Sequence, residues 1–331
     1  MADFPYPTPI SLPTMTFRHV VMPDDLGAMN GVANAVRRAD GEEWVTSDAQ
    51  FRALYENLSN CDPATDVMVV ERDGRVVGHG RASWYQDLEG QRLYEPVAFA
   101  NPDQPPELLE AVMEAMEVRC REIAATHPAG PKHFQTDASD SAVARVAVLL
   151  GRGYEPVRYS FLMVRSDLDD LPDATLPANL EIREVKPEHL RQIFDAEVEA
   201  FRDHWGMGLP TEEDYQQFLT DPVQGRYELW RVAWEGDQVA GAVRGYINAE
   251  ENQQYGRQRG WVEDISVRRP WRRRGLARAL IAASIAVLRE QGMTEGALGV
   301  DTENPSGALR LYESCGFVAV KREATYRKPL S

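Results

Sequence analysis

Trp261-Val-Glu-Asp-Ile-Ser-Val-Arg-Arg-Pro-Trp-Arg-Arg-Arg-Gly-Leu-Ala-Arg-Ala-Leu280 changes its periodicity midway. Val262, Ile265 and Val267 form a short apolar run that reads as a strand. Pro270 has no N–H to give to a ladder and ends it. Beyond the turn, Leu276, Ala279, Leu280, Ala283 and Val287 recur at helical spacing, which predicts a helix opening near Gly275. The first turn of a helix has backbone N–H groups without partners and carries the positive end of the macrodipole, so an anion fits there. Gly275 removes the Cβ that would hold phosphate oxygens off the backbone. Arg268, Arg269, Arg272, Arg273 and Arg274 surround the turn with positive charge. Strand, Arg/Gly turn and helix N-terminus together suit a diphosphate. A solvated basic turn, or a nucleic-acid patch, would need only the arginines.

Downstream, Ala297-Leu-Gly-Val-Asp301 reads as a second strand and runs into Thr302-Glu-Asn-Pro-Ser-Gly-Ala-Leu-Arg-Leu-Tyr-Glu-Ser-Cys-Gly-Phe317. Ala308, Leu309, Leu311 and Tyr312 fit a helix there, with Gly316 as its C′ residue. Arg272-x-x-Gly275-x-Ala277 resembles the (Arg/Gln)-x-x-Gly-x-(Gly/Ala) loop of GNAT-type N-acetyltransferases. Asn304, Ala308, Tyr312 and Gly316-Phe317 resemble the second signature of that superfamily, in the right order and at a suitable separation.

The resemblance implies acetyl-CoA as the acyl-donor cosubstrate. Its pyrophosphate would lie over Arg272, Arg273, Arg274, Gly275, Leu276 and Ala277, and its pantetheine arm against Asn304 and the backbone of Ile265 and Val267. A backbone N–H in that strand would face the developing oxyanion. Tyr312 would lie near the thioester sulfur as general acid. Glu263 stands where the family often keeps a base, acting directly or through water. Strand alternation sets it on one face with Val267, and Asp264 on the other. Two plainer readings stay open: Tyr312 packed beneath its helix, and Glu263 paired with a nearby arginine.

The same landmarks occur twice. Thr16-Phe-Arg-His-Val-Val21 with Pro23 returns as Leu180-Glu-Ile-Arg-Glu-Val185 with Pro187. The hairpin pattern Val67–Gly78, turning at Asp73-Gly74, returns as Leu229–Gly241. Leu149-Leu-Gly-Arg-Gly-Tyr154 returns as Leu311-Tyr-Glu-Ser-Cys-Gly-Phe317. A period of roughly 160 residues is a duplicated domain, far too long for a solenoid. The expected class is α/β (α+β): two tandem GNAT-like domains, each a mixed, mostly antiparallel sheet flanked by helices. Residues 1–14 read as an extended Pro-rich arm, 15–166 as the first domain, 167–179 as an acidic linker and 180–331 as the catalytic domain.

The first half departs from the signatures. Tyr94 to Leu108 contains no Arg-x-x-Gly-x-Ala. Asp103 and Glu107 bring negative charge where phosphates would lie, and Pro105 and Pro106 remove N–H donors. Asp140 stands near the place of Asn304, and Leu149 takes that of Tyr312. A degenerate copy that supports the second domain, or shapes its acceptor cleft, is the expectation. The acceptor pocket is expected from the early elements of the second half. There Asp203 would be a cation partner and Trp205 a wall beside His204 and Gly206, with a structural cap as the competing reading.

Composition narrows the partners. Of 331 residues 43% are hydrophobic, enough for buried cores. The net charge of −16 opposes nucleic acid and favours a small, cationic amine acceptor. Cys61, Cys120 and Cys315 make neither a disulfide framework nor a metal cluster, and the six His residues include no His-x-x-x-His pair. No metal is expected. With no apolar run long enough to cross a bilayer and no signal-peptide pattern, the expectation is a cytoplasmic enzyme, monomeric or homodimeric, with no membrane partner.

Overall fold

A computed structural model of the chain describes residue 12, residues 14–304 and residues 306–330. Most of the expected arm, residues 1–11 and 13, lies outside them. The chain divides into two compact units, one of residues 1–158 with 323–331, the other of residues 159–322. Each unit therefore contains one strand from the other half of the sequence.

The first unit runs β1 (Thr16–His19), α1 (Leu26–Ala39), α2 (Asp48–Glu56), α3 (Pro63–Asp66), β2 (Val67–Arg72), β3 (Arg75–Gln86), β4 (Arg92–Ala100), α4 (Glu107–Ala125), β5 (Lys132–Ser139) and α5 (Val143–Gly151). β6 (Glu155–Arg165) then carries the chain into the second unit. That unit continues with β7 (Glu181–Arg183), α6 (Leu190–Phe201), α7 (Glu212–Thr220), β8 (Arg231–Glu235), β9 (Gln238–Tyr246), α8 (Ala249–Tyr255), β10 (Arg259–Val267), α9 (Leu276–Glu290), β11 (Glu295–Asp301) and α10 (Ala308–Ser314). β12 (Val318–Pro329) begins there and ends in the first unit.

In the first unit the strand order is β1-β2-β3-β4-β5-β12, and Glu323 to Pro329 pair antiparallel with Ser139 to His133. In the second it is β6-β11-β10-β9-β8-β7, and Ser160 to Arg165 pair antiparallel with Asp301 to Gly296. Among the pairings within each unit of the described residues, β4–β5 and β10–β11 are parallel and the others antiparallel. The mixed, mostly antiparallel sheet flanked by helices thus recurs in both units.

The domain limits differ from those read in the sequence. Residues 159–166 belong to the second unit and 323–331 to the first, because the paired strands are exchanged. Nor is 167–179 a free linker. Leu168 is buried in the second core, with Leu171 and Leu176 packed on it. Arg165 donates to the carbonyls of Asp167 (2.6 Å), Asp170 and Cys315. The acidic residues had masked an apolar stripe.

α9 lays its apolar face on this sheet. Leu276, Leu280, Ile281, Ile285 and Leu288 are buried, each contributing about 1.5–3 kcal/mol of transfer free energy. Ala283 and Val287, expected on that face, are only half-buried, because the stripe is rotated toward Ile281 and Ile285. Gly260 allows the close approach: a Cβ there would stand 2.6 Å from Leu288 Cδ2.

β10 is not a regular strand. Glu263 pairs with Arg244, yet Ser266 pairs with Ala242, so Asp264 and Ile265 together oppose Val243. This bulge puts Asp264 at φ +50°. It also inverts the alternation beyond it, so Ser266 shares the face of Glu263 and Val267 takes the opposite one. The expected common face of Glu263 and Val267 is corrected accordingly.

Two expectations test this architecture. A chain ending at Arg322 should lose hydrogen-exchange protection along β5 while β8 to β11 keep theirs, since only the first unit loses a strand. Gly241→Ala would set a Cβ 2.5 Å from the Ser266 carbonyl oxygen beside the bulge. It should cost about 1–3 kcal/mol in chemical denaturation.

Candidate active site

The parallel ladder of β10 and β11 is short. Arg259, Gly260 and Trp261 pair with Glu295, Gly296 and Ala297, and no pair follows although the strands run on to Val267 and Asp301. Across the opening, Glu263 Oε1 accepts the Gly299 N–H at 2.8 Å. Burial, with the Asp264 charge second, pushes the Glu263 carboxyl up to about 8 against the pull of the Gly299 and Asp264 N–H groups and of Arg244. Glu263 is thus held by a backbone N–H rather than by the arginine pairing considered above. Asp264 is the residue that pairs with Arg244, at 2.5 Å.

Tyr312 projects from α10 and is 7% exposed, within the second core. No hydrogen bond to its hydroxyl occurs among the described residues. Burial raises the phenol well above its ordinary pKa, with Glu263 as the next cause, so the two groups share one electrostatic neighbourhood. The packed reading of Tyr312 and an unengaged hydroxyl therefore hold together.

At the mouth of α9, Gly275 has φ +85° and open space where a Cβ would be. No side chain caps this helix, and its first intrahelical acceptor, the Gly275 carbonyl, is reached by Ala279 N–H at 3.1 Å. The N–H groups of Leu276, Ala277 and Arg278 precede that bond and point out of the helix end. Arg273 and Arg274 are exposed, and no acidic side chain among the described residues pairs with them.

Arg272 is turned inward instead. Its guanidinium donates to Val267 O (2.9 Å), Ala200 O (2.8 Å) and Asp203 Oδ2 (2.6 Å). Arg269 grips the same Asp203, and Arg268 pairs with Glu199 at 2.7 Å. Asp203, expected to meet an acceptor cation, has its charge met by these arginines, which hold its carboxyl well below the usual range. His204 lies beside the second signature, its Nε2 3.5 Å from Asn304 Nδ2. Asn304 Oδ1 accepts the Ser306 N–H at 2.9 Å. Trp205 follows in the turn after α6, before Gly206 at φ +69°. The sequence-predicted residues thus fall around one helix end and one strand opening.

Sequence reasoning missed a group on the α6 side. A cleft of about 350 Å³ opens there, with Glu197, Arg244 and Asp264 on its floor and Phe194 and Phe218 among its walls. Glu197 was legible in one respect: it falls four residues after Ile193, on the apolar stripe of α6, where a charge is out of place.

The first unit treats the matching opening differently. β4 and β5 pair in parallel only from Arg92–Lys132 to Tyr94–Phe134. Buried Arg145 of α5 reaches into this region and donates to Ala98 O at 2.9 Å. α4 begins after Pro106 with Glu107 and Glu110 in its first turn, which places negative charge at its N-terminus. Leu149 is fully buried.

Among the described residues no helix is long and apolar enough to cross a membrane, and no group of three or more His, Cys, Asp or Glu could hold a metal ion. Comparison with known proteins agrees with the geometry. The profile of the Acetyltransferase (GNAT) family matches residues 190–317. Mycothiol acetyltransferase of Geodermatophilus obscurus is 24% identical over 313 residues, covering 92% of this chain and 95% of that one. A GCN5-related N-acetyltransferase from Sphaerobacter thermophilus is 26% identical, with a TM-score of 0.68 and 96% of each chain covered. A tandem GNAT protein from the clavulanic acid biosynthesis pathway shares the fold at 16% identity, TM-score 0.64, over 95% of this chain and 98% of its own. Profile, relatives and fold converge: residues 190–317 match the GNAT family, and the whole chain is similar to GNAT acetyltransferases and shares the fold of a tandem GNAT protein.

Proposed function

We propose that the second unit transfers an acetyl group from acetyl-CoA to the primary amine of a small, cationic acceptor. The observation that carries this reading is the opening between β10 and β11, with Glu263 and Tyr312 beside it and the uncapped N-terminus of α9 at its end. The diphosphate would lie on the amides of Leu276 and Ala277, with Arg273 and Arg274 adding charge and Gly275 leaving room. Arg272 serves that loop by holding it to α6 rather than by reaching a phosphate. The pantetheine arm would follow the opening past Asn304. There the bulge releases the backbone of Ile265 from the β9 ladder, leaving its N–H available to the thioester oxygen.

The chemistry then needs two proton movements in the site. The acceptor ammonium first gives one proton to solvent, and Glu263 takes the second proton that the nitrogen sheds as it attacks, directly or through water. The nitrogen attacks the thioester carbonyl, and the carbon–sulfur bond breaks. Tyr312 gives its proton to the departing thiolate. A carboxyl near pH 8 is well matched to the first step, and an unengaged phenol to the last. In the first unit Arg145 and the acidic start of α4 oppose the same ligand, so a single donor site per chain is proposed.

Calorimetric titration with acetyl-CoA should give one site per chain, abolished by Gly275→Glu; no binding by the unaltered chain would overturn the acetyltransferase reading. Glu263→Gln should lower kcat about 10²–10⁴-fold. Because the raised carboxyl is protonated below about pH 8, kcat/KM should climb as pH rises through that value, and the limb should vanish in Glu263→Gln. A pH profile of both proteins checks this.

A further inference from the structure

Glu197 is a buried charged group that the transfer step does not use and the fold engages through one oxygen alone. It is 5% exposed, on the buried face of α6. One oxygen, Oε2, stands 3.1 Å from Arg244 Nε. The other, Oε1, is buried without a hydrogen-bond partner, on the lining of the α6–α7 cleft. A buried carboxylate oxygen left unmet is costly, and nothing in the packing of α6 requires it. An alanine would fill the stripe as Ala196 and Ala200 do.

The surroundings define what would meet it. Arg244 is already shared between Glu197 and Asp264 (2.5 Å), so two carboxylates face one guanidinium. Asp214 and Asp221 add negative charge at the rim, their oxygens engaged by the backbone of Thr211, and of Val223 and Gln224. The remaining lining is largely apolar, with Phe194, Phe201 and Phe218 contributing rings. Arg244 lies 4.9 Å from the Phe218 ring centroid and is fixed in place by it. A cation with an apolar body complements this cleft, and an anion does not. Glu263 lies directly across the ladder from Arg244, so a molecule seated here is one strand position from the proposed base.

We propose that the cleft gathers the acceptor as its ammonium on Glu197 Oε1, with an uncharged apolar body among Phe194, Phe201 and Phe218. Glu197 thereby selects alkyl- and arylalkylamines over amines that carry an anionic group. This rests on the acetyltransferase reading and names its substrate class. Burial pushes the Glu197 carboxyl up to about 8, Arg244 pulling it down and Asp264 pushing it up; an ammonium at Oε1 draws it back to the ionised form. Glu197 acts on binding, whereas Glu263 and Tyr312 act on the chemical step.

The test is steady-state acetylation of phenethylamine, hexylamine and phenylalanine by the full chain and by Glu197→Gln, which keeps the shape of the side chain. The unaltered chain should favour both amines over phenylalanine by at least tenfold in kcat/KM. In Glu197→Gln the KM for phenethylamine should rise at least tenfold, with kcat within a few-fold and the KM for acetyl-CoA unchanged. Equal use of phenylalanine, or an unchanged amine KM in the variant, overturns the proposal while leaving the acetyltransferase reading in place. If no amine is acetylated although acetyl-CoA binds, the transfer reading falls, and ligand-observed NMR with phenethylammonium decides the cleft separately. Saturable binding lost in Glu197→Gln supports it, and no binding by the unaltered chain overturns it.

Discussion

Two parallel strands that stay together for three residues and then part are the constraint on which the second unit depends. Parting them leaves backbone groups without ladder partners inside a protein, and such groups must be met by something. On one side the Glu263 carboxylate meets Gly299 N–H. On the other, the bulge at Asp264 lets β10 turn away from β11 while still following β9, and Gly241 tolerates the displaced Ser266 carbonyl because it has no side chain. The first unit has the same constraint between β4 and β5 and answers it with Arg145, which sends its guanidinium to the Ala98 carbonyl. One unit fills its opening from within. The other keeps a carboxylate and a phenol beside it.

The basic loop shows a similar division of labour. In a chain of net charge −16, a run of arginines is expected to be drawn to acids, and three of them are. Arg268, Arg269 and Arg272 are consumed by Glu199, Asp203 and backbone carbonyls, fastening the loop to the C-terminal end of α6. Arg273 and Arg274, together with the amides of α9, are what remains for an anion. The loop that carries them is thus held by neighbours whose charges are already spent.

Much of this was legible in the sequence because it depends on local periodicity. The switch from Val262–Val267 to the α9 stripe, the Asp73-Gly74 turn and the Tyr312 helix are each written in neighbouring residues. Asp73 and Gly74 indeed both take the left-handed conformation that a two-residue hairpin needs. The bulge was not legible, since alternation of side chains says nothing about where a register slips. The partners of Asp203 were not legible for a related reason: Arg269 and Arg272 lie 66 and 69 residues away, and only the fold brings them together. Glu197 could have been noticed as a charge on an apolar stripe, but Arg244 and Asp264, which give it meaning, come from other strands. The exchange of β6 and β12 escaped because each strand is well formed by its own residues, and pattern alone does not name its sheet.

That exchange sets an order of events during synthesis. Residues 159–322, the second unit, are all available once Arg322 has emerged, but the first unit still lacks Glu323 to Pro329. At roughly 5–20 residues per second, β5 waits on the order of ten to forty seconds between its own emergence and that of its partner strand. Through that interval the edge of β5 is unpaired, with Phe134 and Ala138 in its sequence. Although it is made first, the N-terminal half is completed last, so the half that carries Glu263 and Tyr312 can mature before the half that precedes it.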